Sequence, residues 1–152
     1  LLREARALAG GGALLIGVDL VKPVHVLEAA YDDALGVTAA FNLNVLNVVN
    51  RTLGASFDAT AFRHRAVFNA EASRIEMHLV SQHAQAIALG TGQVLRLQAS
   101  EHIVTEHSYK HAPARAEQLL RGAGFDQLQR FGIDGEAYGV YLARIGHAES
   151  ER

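Results

Sequence analysis

Hydrophobic and polar positions follow two rhythms along this chain, and the change between them falls near Arg63. Before that point apolar residues recur mainly at helical spacing; after it they alternate singly, as on strands with one buried face. Leu1–Ala9 reads as an amphipathic helix stopped by Gly10, Gly11 and Gly12. Residues 13–18 (ALLIGV) are an uninterrupted apolar run, the pattern of a strand buried on both faces of a helix-covered parallel sheet. Pro23 opens a helix that runs to Leu35 and closes near Gly36, and a second helix covers Val37–Leu53 up to Gly54. Asp58 is suited to cap a short turn before Phe62.

Beyond Arg63 the pattern predicts short antiparallel strands over 64–69, 74–80, 85–89 and 94–98, with a hairpin turn at Thr91-Gly92. Residues 101–110 (EHIVTEHSYK) alternate as well. Strict alternation places Ile103, Thr105, His107 and Tyr109 on one face and His102, Val104, Glu106 and Ser108 on the other. A helix over Ala114–Ala123 follows Pro113, then two strands, Phe125–Phe131 and Ala137–Ile145, around a Gly132-Ile133-Asp134-Gly135 turn; the polar tail from Gly146 is expected to fray.

The order of elements predicts α/β architecture. Residues 1–22 and 112–146 read as the later part of a doubly wound, Rossmann-like sheet, residues 23–111 as an inserted α+β domain, and 147–152 as a tail. The chain begins inside a helix with neither an initiator Met nor an N-cap, so it is expected to be a piece of a longer one.

Composition narrows the function. A length of 152 residues, 49% of them apolar, suffices for a sizeable core. A formal net charge of -2 without a basic block argues against nucleic acid as the main partner. Without an apolar run of spanning length or a signal peptide, the expected setting is cytoplasmic, away from the membrane. There are no cysteines, hence no disulfide and no thiolate ligand.

Several chemistries lack their signatures. The eight histidines show no metal-ligand spacing, and His64 and His78 read as sheet-surface residues. No GxSxG follows a strand, so acyl transfer has no anchor. Gly10-Gly11-Gly12 precedes a strand instead of following it, which suits a helix stop and not a nucleotide loop. Asp19 and Lys22 sit at the carboxyl end of the first strand, where an open α/β sheet keeps its ligand crevice; a solvated turn before Pro23 explains them equally well. Asn42, Asn44, Asn47 and Asn50 are unusual in one helix, because Asn competes with the backbone for hydrogen bonds. Glu106 and Ser108, two apart on one strand, could grip the N–H and the second nitrogen of an imidazole, or simply face solvent on an edge strand.

Three stretches carry a resemblance: GVDLVKPVHVLEAAYDDALGVTAAFNLNVLNVVNRTLGASFD, RIEMHLVS and TEHSYK. In this order and approximate spacing, across about Leu14 to Leu142, the chain resembles the C-terminal half of the histidine-specific S-adenosylmethionine-dependent methyltransferases. The resemblance implies an enzyme that methylates the α-amino group of L-histidine, as in ergothioneine biosynthesis, with S-adenosyl-L-methionine as cofactor. It implies that the inserted domain binds the substrate: Tyr31 offers a hydroxyl to the carboxylate, Glu106 and Ser108 grip the imidazole, and Thr38, Phe41 and Met77 line the pocket. The chemistry implied is an in-line displacement at a sulfonium methyl, in which positioning a deprotonated amine carries most of the catalysis. Neither a metal nor a covalent intermediate is required.

There are departures. The family's glycine-rich cofactor loop, its adenosine-contacting acidic residues and a substrate-binding Asn lie upstream of the region represented here, and the aromatic-rich end reads FGIDGEAYGVYLA. The cofactor-binding half is therefore expected to be absent, leaving these residues inactive on their own. The competing expectation is a non-catalytic ligand-binding or assembly module that self-associates through an unpaired strand edge.

Overall fold

The computed structural model describes residues 1–133 and 137–146; the part of the expected turn at Asp134-Gly135 and the tail beyond Gly146 lie outside the described residues. In chain order the elements are α1 (Leu2–Ala9), β1 (Ala13–Asp19), α2 (Val24–Tyr31), α3 (Val37–Leu53), a 3-10 turn (Ala59–Ala61), β2 (Phe62–Asn69), β3 (Arg74–Ser81), β4 (Gln85–Ala88), β5 (Val94–Leu97), β6 (His102–Tyr109), α4 (Pro113–Gly122), β7 (Gln127–Ile133) and β8 (Tyr138–Arg144). They divide into two compact units, one of Leu1–Lys22 with Lys110–Arg152 and one of Pro23–Tyr109. Among the described residues no helix is long and apolar enough to cross a membrane.

The first unit holds a three-stranded sheet in the order β1-β8-β7. These three strands do not by themselves show the doubly wound, Rossmann-like sheet expected from sequence. Both ladders are antiparallel, Leu14 opposite Ala143 and Leu128 opposite Ala143, so β8 runs against two flanking strands that share a direction. Nor is β1 buried on both faces. Leu14, Ile16 and Val18 pack on Ala116, Leu120, Phe125, Tyr141 and Ala143, whereas Leu15 on the opposite face is 66% exposed. A continuous apolar run fixes neither the direction of its neighbour nor what covers each face.

The two chain crossings of this unit are tied together. Leu20 forms a parallel bridge with His111, and the Val21 amide donates to the His111 carbonyl at 3.2 Å. Beside them Lys110, 1% exposed, places its ammonium 2.7 Å from Asp19 Oδ2, while Lys22 pairs with Oδ1. Burial pushes the Asp19 carboxyl up, but hydrogen bonds and attraction from Lys110 and Lys22 outweigh it and hold the group below its ordinary value. Lys110 and His111 thus belong to the first unit.

The second unit is built on an antiparallel sheet in the order β2-β3-β6, with β4 and β5 forming a separate hairpin. One core gathers Leu46, Phe62, Leu79, Ile87 and Leu97; a second gathers Leu27, Ala66 and Ile75 with Tyr31 and Phe68 beside them. Full burial of one such side chain contributes about 1.5–3 kcal/mol, so these clusters hold the helices on the sheet. Glu28 of α2 also accepts the Phe68 amide of edge strand β2 at 3.1 Å.

The helix α2 stops at Tyr31, before the Leu35 expected from sequence. The Asp33 carboxylate is drawn to the start of α3, where it accepts the amides of Val37 (3.1 Å) and Thr38 (2.8 Å), and these bonds need non-helical backbone between the helices. Backbone and side-chain bonds from Thr38 and the bond from Val37 hold the Asp33 carboxyl down at about 2. At the other end Gly54 takes a left-handed conformation (φ 65°) and its amide returns to the Asn50 carbonyl. A Cβ on Gly90 would sit 1.7 Å from the Leu53 carbonyl oxygen, so only glycine lets the β4–β5 hairpin approach this helix end.

Candidate active site

The alternation of β6 is broken once. Met77 stands opposite Glu106 but His78 stands opposite Val104, which leaves Thr105 as an extra residue in a β-bulge. Opposed residues share a face, so Glu106 and Ser108 lie on the side of Met77 and Ile75, and Ile103 lies on the side of Leu79. His107 and Tyr109 turn to the other side with His102 and Val104. The strict alternation expected from sequence is thereby corrected: Glu106 and Ser108 do share a face, but His107 and Tyr109 do not share one with Ile103. The bulge is what brings Glu106 and Ser108 onto the face that carries α2 and α3.

On that face the Tyr31 and Ser108 hydroxyls meet at 2.7 Å. Ser108 is opposite buried Ile75, and Glu106 is opposite Met77, which is only 3% exposed. The Glu106 carboxylate itself is exposed and makes no hydrogen bond or ion pair among the described residues. A hydroxyl pair, a thioether and an uncommitted carboxylate therefore converge from three elements. The remaining two expected pocket residues are placed differently. The Thr38 hydroxyl is engaged with the Asp33 carboxylate at the start of α3, and the Phe41 ring, one turn further along, is 67% exposed.

Behind this face lies a polar network that the sequence did not single out as a unit. His64, expected on the sheet surface, points inward from β2 and is 7% exposed. Its Nε2 is 2.8 Å from the Tyr31 carbonyl, the last of α2, and its Nδ1 is 2.9 Å from Asn42 Nδ2. The second Asn42 N–H is directed at the His78 carbonyl (3.4 Å), and Asn42 Oδ1 lies 2.6 Å from the Thr105 hydroxyl. That hydroxyl is also 3.0 Å from the Met77 carbonyl. The inward side of α3 is thus Asn42 with Leu46, whereas Phe41 and Val48 are exposed. Asn50 has a separate task, pairing with both the amide and the carbonyl of Phe57. The signal in the sequence was the run of Asn in α3; of the four, Asn42 is the one bonded to the sheet behind the pocket, through His64, His78 and Thr105.

The opposite face of the sheet carries a second polar group. Glu76 accepts from Arg74 Nη2 (2.7 Å), from Asn69 (3.0 Å) and from the His78 ring (3.1 Å), and these bonds hold its carboxyl down at about 2. His78 stacks on His102 at 4.3 Å between centroids. Among the described residues no three His, Cys, Asp or Glu side chains are grouped to hold a metal.

The glycine run Gly10–Gly12 is used to end α1, with the Gly12 amide donating to the Ala9 carbonyl at 2.7 Å, and it precedes β1.

Comparison with known proteins places the site in context. A family model described as histidine-specific methyltransferase, SAM-dependent, matches residues 1–145. The chain is 43% identical over 140 residues to the histidine N-alpha-methyltransferase of Mycolicibacterium smegmatis, covering 91% of this chain and 44% of that protein. Against the histidine N-alpha-methyltransferase of Mycobacterium tuberculosis it is 41% identical over 142 residues, covering 90% and 44%. Ergothioneine biosynthesis protein 1 of Schizosaccharomyces pombe is 22% identical over 130 residues, 85% of this chain and 17% of that protein. The chain spans less than half the length of the curated relatives it matches.

Proposed function

Since the chain belongs to the histidine-specific, S-adenosylmethionine-dependent methyltransferase family, we propose that it supplies the substrate pocket of an enzyme that methylates the α-amino group of L-histidine. The observation that carries this reading is the Glu106–Ser108 face, turned by the bulge toward Tyr31 and Met77. A neutral imidazole has one N–H and one bare nitrogen. The uncommitted Glu106 carboxylate accepts from the N–H, and Ser108 donates to the other nitrogen. Met77 lies against the ring as a polarisable apolar wall.

Before substrate enters, Tyr31 and Ser108 satisfy each other. Binding exchanges that neutral pair for two bonds to substrate, Ser108 to the ring and Tyr31 to the carboxylate. The exchange is favourable because a bond to a charged group contributes about 1.5–3 kcal/mol against about 0.5–1.5 for a neutral one. Thr38 and Phe41 complete the pocket at the start of α3, Phe41 through its exposed ring.

The cofactor contributes an electrophilic methyl group in the complete protein and is held outside the residues described here. This chain's share of catalysis is to fix the imidazole so that the α-amino group is presented in one orientation. Such restraint accounts for a large part of the rate in a displacement without a covalent intermediate. The test is titration of the complete protein with L-histidine after Glu106→Ala.

A further inference from the structure

The buried polar residues behind the pocket form one connected chain. The Tyr31 carbonyl can only accept, so the hydrogen of the His64 ring sits on Nε2, 2.8 Å away. The ring's Nδ1 is then an acceptor, and Asn42 Nδ2 at 2.9 Å is its donor. The orientation of the Asn42 amide is fixed independently, because its nitrogen faces the His78 carbonyl and its oxygen faces the Thr105 hydroxyl. Each donor therefore meets an acceptor from Thr105 through Asn42 and His64 to Tyr31.

Both ends of this chain are pocket elements. One end holds the last carbonyl of α2, and so sets the residue whose hydroxyl reaches Ser108. The other end is the extra residue of the bulge, next to Glu106, with a second contact to the Met77 carbonyl. A polar cluster that served only to fill the core would not need to start and stop at those two places. Apolar residues of the same volume would fill it at less desolvation cost.

From this arrangement, we infer that His64, Asn42 and Thr105 are positioning residues for the substrate. His64, as its Nε2–H tautomer, fixes the backbone of Tyr31, and the Thr105–Asn42 bond holds the bulge that turns Glu106 and Ser108 toward the helices. None of the three touches substrate; they act through Tyr31 and Glu106. The inference rests on the reading of this face as the histidine pocket.

The experiment is calorimetric titration of the complete protein with L-histidine, using Thr105→Val and Thr105→Ser, together with the nitrogen NMR spectrum of the His64 ring. Loss of one hydrogen bond's worth of alignment predicts that Thr105→Val raises the Kd for L-histidine about tenfold and leaves S-adenosylhomocysteine binding unchanged. Thr105→Ser, which keeps the hydroxyl, stays close to wild type, and the ring spectrum shows the hydrogen on Nε2. The inference is overturned if Thr105→Val binds L-histidine as tightly as wild type, or if the hydrogen sits on Nδ1. Should Thr105→Val fail to fold, the serine variant and the ring spectrum decide alone. Glu106→Ala separates the two levels: full L-histidine binding by that variant defeats the pocket reading, whereas its loss beside a silent Thr105→Val defeats only the positioning role.

Discussion

The Tyr31 and Ser108 hydroxyls lie 2.7 Å apart although 77 residues separate them in the chain. Tyr31 ends α2 and Ser108 lies near the end of β6, so the contact joins a helix to the edge strand that follows the bulge. It exists only because Thr105 takes up one residue without a partner; regular pairing would turn Ser108 to the other side of the sheet.

Tyr31→Phe separates the two ends of the substrate. With the hydroxyl gone, the Kd for L-histidine rises about tenfold, the worth of one bond to a carboxylate. Histamine, which has the ring without the carboxylate, binds the variant as it binds wild type. Equal losses for the two ligands would reassign the Tyr31 hydroxyl to the ring.

Met77→Ala removes a side chain that is 3% exposed in the central strand. Truncation at such a site costs about 2–5 kcal/mol, read as a lower urea midpoint at unchanged slope. A loss well under 1 kcal/mol would place the thioether in open space instead of against the sheet.

Asp19→Asn leaves the Lys110 ammonium, 1% exposed, without its carboxylate. Removing the carboxylate partner of a buried ammonium costs about 3 kcal/mol, at the lower end of its range here because Asp19 is partly exposed. The Lys110→Met, Asp19→Asn double variant is more stable than Asp19→Asn alone. Additive destabilisation in chemical denaturation would contradict that account.

Acid weakens the fold through named carboxylates. Asp33 and Glu76 are held at about 2 when folded, against ordinary values of 3.8 and 4.5, and Asp19 also lies below its ordinary value. A depressed carboxyl stabilises fully above its unfolded value and loses that contribution as pH falls toward its folded one. The urea midpoint is therefore flat above about pH 5 and drops between there and about pH 2. Asp33→Asn and Glu76→Gln each flatten the drop; an unchanged acid limb in both would remove these groups from the explanation.

Much of this architecture was legible in the sequence. The limits of α3 stand at Gly36 and Gly54, because glycine permits the left-handed caps found there. The strands of the second unit lie where alternation predicts them, and Glu106 and Ser108 share a face as their spacing requires. What escaped was decided by partners. A bulge leaves no mark in a strand whose residues alternate anyway, so the turn of His107 and Tyr109 could not be read from β6 alone. His64 looked like a surface residue because nothing local indicates that the carbonyl ending α2 and the Asn42 amide would meet it. The direction of the sheet around β1 was likewise set by β8, more than a hundred residues later in the chain, and not by the apolar run itself.

Titration of the complete protein with L-histidine, wild type against Glu106→Ala, tests the central claim most directly. A charge-assisted bond to the ring N–H contributes about 1.5–3 kcal/mol, so the variant should bind about 10- to 150-fold more weakly while its melting temperature holds, since Glu106 is exposed and uncommitted. A Glu106→Ala protein that binds L-histidine as tightly as wild type would contradict the assignment of this face as the histidine pocket.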